Sequence, residues 1–235
     1  MLTFRLLPVA VALVAMCAAS ALIADAHAAP ADCKPPTVKP PPKKPPQKPP
    51  VTPPSYGVAY YGDSAAYWTG RHLYSTAPSI KVENRARGGY TLARYVAQDH
   101  ATAQHFGRGV VVLSFGANDA DSRNLDGIAV DQWRDELARV ALDLRQRGLG
   151  VVIETVPAMQ LERLAPDALA VPLPAMQQAA KQAAVASGAV LCDRYSWMQA
   201  RQNPTHDGVH LTDAALRGWA PHLIACIATA QGEAK

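Results

Sequence analysis

The chain has 235 residues, 49% of them hydrophobic and 18% charged, and its formal net charge is +4. Wholesale disorder and a collagen-like chain are excluded, and one or two globular domains fit the length. Six of the 23 basic and two of the 19 acidic residues lie in 1–54, which leaves 17 of each in 55–235; that longer part offers no net positive field to a phosphate backbone, so nucleic acid is not an expected partner.

Arg5 precedes an apolar run from residue 6 to 23, and Ala26-His27-Ala28 follows. A positive start, an apolar middle and a small-x-small ending predict a secretory signal peptide over 1–29, cleaved after Ala28 or Ala29. An uncleaved anchor is the competing reading, since about 18 apolar residues approach the length that spans a bilayer. A lipoprotein signal ending at Cys17 fits less well, because Met16 stands where a small residue is needed. Export to the periplasm or beyond is the working expectation. Cys33, Cys192 and Cys226 would remain after cleavage, and Cys192 and Cys226 either pair or stay as thiols. The cysteine spacings fit no metal site, and no cofactor fingerprint is present. Neither metal nor cofactor is expected.

Residues 34–54 contain eleven prolines and five lysines. Proline lacks an N–H and fixes φ, so 30–54 is expected to be a disordered, polyproline-II-rich linker. Such a segment spans roughly 65 Å. It serves either as a solubilising spacer or as a basic contact to an anionic envelope surface.

From residue 55 short apolar runs alternate with helical patterns. Strands are predicted at 58–61, 80–84, 110–115, 151–156 and 190–193. Helices are predicted near 65–75, 91–104, 130–147, 173–187 and 211–230. The clearest is 130–147, where Val130, Trp133, Leu137, Val140, Ala141 and Leu144 form one stripe before Gly148. Apolar strands separated by helices predict a three-layer α/β/α sandwich with a five-stranded parallel sheet. In such sheets ligands bind beyond the carboxyl ends of the strands, so polar residues there matter most.

Four clusters stand at those ends. The first strand runs into Gly62-Asp63-Ser64, which places a hydroxyl at a helix N-terminus or serves only as a cap. The second ends at Asn84 and leads to Gly88-Gly89-Tyr90-Thr91. The third ends in Gly116-Ala117-Asn118-Asp119, an amide at the ligand face or an Asx-turn. The fourth, Asp207-Gly208-Val209-His210, precedes the last helix and sets a carboxylate three residues from an imidazole. His72, His100, His105 and His222 have no such neighbours and are read as surface or core-edge residues. Tyr67, Trp68 and Tyr90 lie near the predicted mouth, where they either stack on a sugar ring or pack at helix starts.

GDS at 62–64, N…GG at 84–89, GAND at 116–119 and DGVH at 207–210 together resemble the SGNH/GDSL hydrolase family. The resemblance implies a flavodoxin-like SGNH hydrolase domain over 55–235. It implies Ser64 as nucleophile, His210 as base and Asp207 as the partner of that histidine. It implies an oxyanion hole built from the Ser64 and Gly89 amides and the Asn118 side chain. Ala65 departs from the leucine of the family name, and counting from Asn84 selects Gly89 over Gly88. Asp63 and Asp119 are expected to orient loops, and Asp193 is the rival partner for the histidine.

The expected activity is hydrolysis of carboxylic esters through an acyl-serine, with small acyl groups favoured. Carbohydrate O-acetyl esters, acyl transfer to another acceptor, and a non-catalytic envelope-binding module are the alternatives. The expected partner is a small ester or an acylated glycan, and the oligomeric state is left open.

Overall fold

The computed structural model describes residues 57–103, 109–123, 129–160 and 168–233. The segments expected to be signal peptide and linker, with Cys33 and His105, lie outside them. Five parallel strands form one sheet: β1 (Gly57–Gly62), β2 (Lys81–Asn84), β3 (Val110–Ser114), β4 (Gly150–Glu154) and β5 (Val190–Cys192), in the spatial order β2-β1-β3-β4-β5. The chain reverses its direction of travel across the sheet after β2, so the ends of β1 and β3 form the switch point where open α/β sheets bind ligands.

The middle strands are apolar throughout because both faces are covered. Along β3, Val111 and Leu113 face one core with Trp133, Leu137 and Met176, while Val110 and Val112 face another with Leu73, Leu223 and Ile227. The first core is roofed by α2 (Leu92–Gln98), α3 (Val130–Gln146) and α4 (Leu173–Ser187), the second by α1 (Ser64–Thr76) and α6 (Asp213–Glu233). The stripe predicted on α3 is the buried one, and Gly148 and Gly188 follow α3 and α4 at φ of 83° and 68°, where a side chain would be strained.

Several elements differ from expectation, among them β4, which stops at Glu154 and not at Val156. The predicted helix over 91–104 stops at Gln98, and a 3-10 turn covers His100–Thr102. There the His100 ring is pulled into a pairing with Asp143 at 2.9 Å. The last strand ends at Cys192 rather than Asp193, because the Asp193 carboxylate caps α5 (Arg194–Gln199) through the Ser196 amide at 3.0 Å. At six residues α5 is too short to show a period. Cys192 and Cys226 are bonded, with their Cα atoms 6.0 Å apart, and the bond ties β5 to α6 across 34 residues. A loop of that length predicts a stabilisation of about 3–4 kcal/mol.

Candidate active site

Ser64 owes its position to the two residues before it. A Cβ on Gly62 would lie 2.1 Å from the Ser114 carbonyl oxygen, so only glycine lets β1 turn this close to β3. Asp63 is fully buried and caps α1, its Oδ1 accepting from the amides of Ala65 at 2.9 Å and Ala66 at 3.2 Å. Burial raises the Asp63 carboxyl, opposed by the charge of Arg194 and by the amides of Ala66, Ala65 and Ala117. Ser64 is thus the first residue of α1, with hydroxyl and amide at the positive end of the helix. Among the described residues neither the Ser64 nor the Gly89 amide has a protein acceptor.

His210 Nε2 lies 2.8 Å from Ser64 Oγ, across 146 positions of sequence. His210 Nδ1 lies 2.6 Å from Asp207 Oδ2. The other carboxylate oxygen accepts from the Val209 amide at 2.9 Å and the His210 amide at 2.8 Å. Burial works the other way, but donation from the His210 ring and the amides of His210 and Val209 holds the Asp207 carboxyl well below the usual range. An ionised carboxylate only accepts, so Nδ1 carries the ring proton and Nε2 accepts from the serine hydroxyl. The turn depends on Gly208, at φ 97°, whose carbonyl is held by the Gln160 amide at 2.8 Å.

The third and second clusters meet beside the serine. The Asn118 amide nitrogen donates to the Tyr90 carbonyl at 3.1 Å, which fixes its plane. Asn118, Ser64 and His210 line one cavity of about 200 Å³, together with Ala117, Met159 and Leu169. Gly89 lines the adjoining cavity, which shares Asn118, Asp121 and Arg123 with the first. Gly89, not Gly88, takes the left-handed φ of 71°. Asp119 bridges the loops, accepting from the Leu92 amide and the Gly116 amide at 3.0 Å each. Burial pushes its carboxyl up to about 7. Asn84 lies outside this cavity wall and instead anchors α1, its amide donating to the Tyr67 carbonyl at 2.8 Å.

The sequence of GDSL-like lipases and acylhydrolases, as a family profile, matches residues 54–217, most of the chain. The chain belongs to the GDSL-like lipase/acylhydrolase family. It is a carboxylic ester hydrolase of that family. A sequence search of curated proteins found no match. Among solved structures, a lipase/acylhydrolase from Enterococcus faecalis is similar, with 17% identity and a TM-score of 0.59 over 76% of this chain and 97% of that one. An acetyl xylan esterase aligns at 18% identity and a TM-score of 0.57, over 73% and 99%. An acetylxylan esterase from Geobacillus stearothermophilus aligns at 16% and 0.56, over 73% and 94%. At such identities these likenesses show the SGNH hydrolase fold.

Other candidate side chains of this acylhydrolase stand apart from the Ser64–His210–Asp207 contacts. Asp193 is not at the histidine: it pairs with Lys181 at 2.8 Å, and although burial would raise its carboxyl, Lys181, Ser196 and Gln177 hold it down at about 2. Tyr90 is buried at 4% exposure, with its hydroxyl bonded to Asp99, so it packs and does not face a ligand. Tyr67 and Trp68 do face solvent, at 39% and 43%.

Two features escaped the sequence reading. His206 and His210 form an H-x-x-x-H pair, and with Asp207 their ligand atoms lie within 4.8 Å of one another. A metal there would displace one of the two contacts of the His210 ring, to Asp207 or to Ser64, so it would oppose the serine–histidine arrangement. The second feature is a buried ion pair under the site. Glu154 Oε2 accepts from Tyr60 at 2.5 Å and Ser114 at 2.6 Å and lies 3.1 Å from Arg194 Nη1, while Oε1 accepts from Trp219 at 2.6 Å. A lone glutamate in the apolar run 151–156 was the visible signal.

Proposed function

We propose that this acylhydrolase is an exported serine esterase that removes small acyl groups through an acyl-Ser64 intermediate. The observation that carries the reading is the continuous chain from Asp207 through His210 to Ser64, at 2.6 and 2.8 Å. A serine hydroxyl attacks well only when a base takes its proton as the bond forms. In the proposed reaction Ser64 Oγ bonds to the ester carbon while His210 Nε2 takes the proton. Asp207 holds the ring and stabilises its imidazolium. The carbonyl oxygen becomes an oxyanion facing the Ser64 and Gly89 amides and the Asn118 side chain, donors worth roughly 3–4 kcal/mol each. The tetrahedral species collapses, the carbon–alkoxide bond breaks, and the alcohol leaves with the proton from His210. Water, losing its proton to His210, then attacks the acyl-serine and frees the acid and Ser64.

Small acyl groups are favoured by the size of the cavity. The part lined by Ser64 and His210, about 200 Å³, is below the roughly 300–1,000 Å³ of drug-sized ligand pockets, and the adjoining cavity at Gly89 extends it on the far side of Asn118. Acetyl esters of carbohydrates are included in this reading, as the acetylxylan esterases share the fold. Export is supported by the N-terminal segment and by the Cys192–Cys226 bond, since such bonds persist in oxidising compartments.

The test is a series of acetyl, butyryl, octanoyl and dodecanoyl p-nitrophenyl esters beside an acetylated xylo-oligosaccharide. The acetyl and butyryl esters are expected to give the highest kcat/KM. A preference for octanoyl or longer chains contradicts the small-acyl reading, and an absence of hydrolysis contradicts the esterase.

A further inference from the structure

Helix α1 carries more than the serine. Residues three, four and seven positions after Ser64 share its side of the helix, and they are Tyr67, Trp68 and Arg71. Trp68 is 43% exposed, whereas Trp133, Trp197 and Trp219 are 1%, 8% and 2% exposed. The indole is held in place: the Tyr67 ring meets it edge-on at 5.6 Å and the Arg71 guanidinium lies 5.6 Å from its centroid.

Two cavities open beside this ring. One, of about 430 Å³, is lined by Trp68, His206, Leu211, Thr212, Asp213 and Leu216. The other, of about 440 Å³, shares Trp68, Asp213 and Leu216 and adds Arg71, Tyr74 and Ser75 among its walls. The shared residues make these two reaches of one groove with Trp68 at its middle. Its near end is His206, whose ring stacks on that of His210 at 5.9 Å and 21°. The groove therefore ends one stacked ring away from the histidine that faces Ser64.

Its lining selects among the alcohols an ester could carry. An acyl or alkyl chain laid there would bury Asp213 and Arg71 against hydrocarbon, which is unfavourable. A polyanion would meet the Asp213 carboxylate. A neutral pyranose has an apolar C–H face that matches an indole and a rim of hydroxyls that both donate and accept. Asp213, Thr212, Ser75 and Arg71 supply acceptors and donors around the ring, the pattern of an aromatic floor with a few placed polar groups.

We propose that Trp68 and Asp213 form a subsite for a neutral glycan chain, bound so that an acetyl group on it enters the cavity at Ser64. The inference rests on the esterase reading and names the alcohol side of its substrate. Trp68 is a specificity-determining residue here and takes no part in proton transfer.

The test uses the full chain with acetylated xylohexaose and p-nitrophenyl acetate, which has no sugar to reach the groove. Trp68→Ala is expected to lower the ratio of kcat/KM on the glycan to that on p-nitrophenyl acetate by about tenfold, mostly through KM, as expected for a lost ring contact. Trp68→Phe should recover part of the ratio. An unchanged ratio overturns the subsite. Binding is read separately in Ser64→Ala, where the glycan should shift the emission of the exposed tryptophan and should not do so when Trp68 is also replaced. A binding shift without turnover by the parent protein keeps the subsite and removes the esterase. Turnover of the glycan with no shift and no dependence on Trp68 does the reverse.

Discussion

Ser64→Ala should fold like the parent chain and lose p-nitrophenyl acetate hydrolysis by about four to six orders of magnitude in kcat/KM. The fold should be spared because the cap of α1 is Asp63, whose carboxylate holds the Ala65 and Ala66 amides without help from the serine side chain. The loss should be large because among the described residues no other hydroxyl hydrogen-bonds to His210 Nε2, and water in its place lacks the positioning of a helix N-terminus. Asp207→Asn should retain the shape of the turn but disturb the tautomer of His210, with a loss of about ten-thousandfold. Steady-state kinetics with a circular dichroism check of folding reads both. A Ser64→Ala protein that keeps more than a hundredth of the parent rate would place the chemistry elsewhere.

The largest effect on stability should come from Glu154→Ala. Glu154 and Arg194 are 0% and 1% exposed as side chains, and the carboxylate also serves Tyr60, Ser114 and Trp219. Removing it strands a buried guanidinium and three polar groups, at a cost of about 3–5 kcal/mol. In a domain of this size that corresponds to a fall in Tm on the order of 10 °C. The double replacement Glu154→Leu with Arg194→Met removes both charges and should recover much of the loss, because an apolar pair of similar volume often matches a buried ion pair. Thermal unfolding of the three proteins reads the cycle. Equal losses in the single and double variants would mean that the cost lies in packing or in the remaining hydrogen bonds, not in a stranded charge. The network also borders the site: the Ser114 carbonyl accepts from the Asp63 amide at 3.3 Å, and the Ser114 hydroxyl binds Glu154.

How much of this was legible in the sequence follows from which contacts are local. β1, β3 and β4 are covered on both faces, so their runs are continuously apolar and visible. β5 is a sheet edge, with Leu191 36% exposed, and its end was set one residue too far because capping by Asp193 is a decision of side-chain geometry. The four clusters were visible as short motifs, and the structure brings Ser64, Asp207 and His210 into contact and sets Asn118 and Gly89 along the adjoining cavities. The sequence left open whether Tyr90 packs or faces a ligand, because the neighbours that bury it, Asp99 and Phe115, are distant in the chain. The Glu154–Arg194 pair joins residues forty positions apart, and no period or spacing encodes it. The groove at Trp68 needs α1 and the start of α6 side by side, which only the packed fold supplies.

The central claim is that the hydroxyl of Ser64 is the atom that takes the acyl group. Labelling with a small fluorophosphonate, followed by mass spectrometry of the digested protein, tests it without assuming a substrate. The account predicts one adduct per chain, on the peptide that contains Ser64, absent in Ser64→Ala and formed much more slowly in His210→Ala. An adduct on another residue, or an active preparation that takes no label at Ser64, would contradict it.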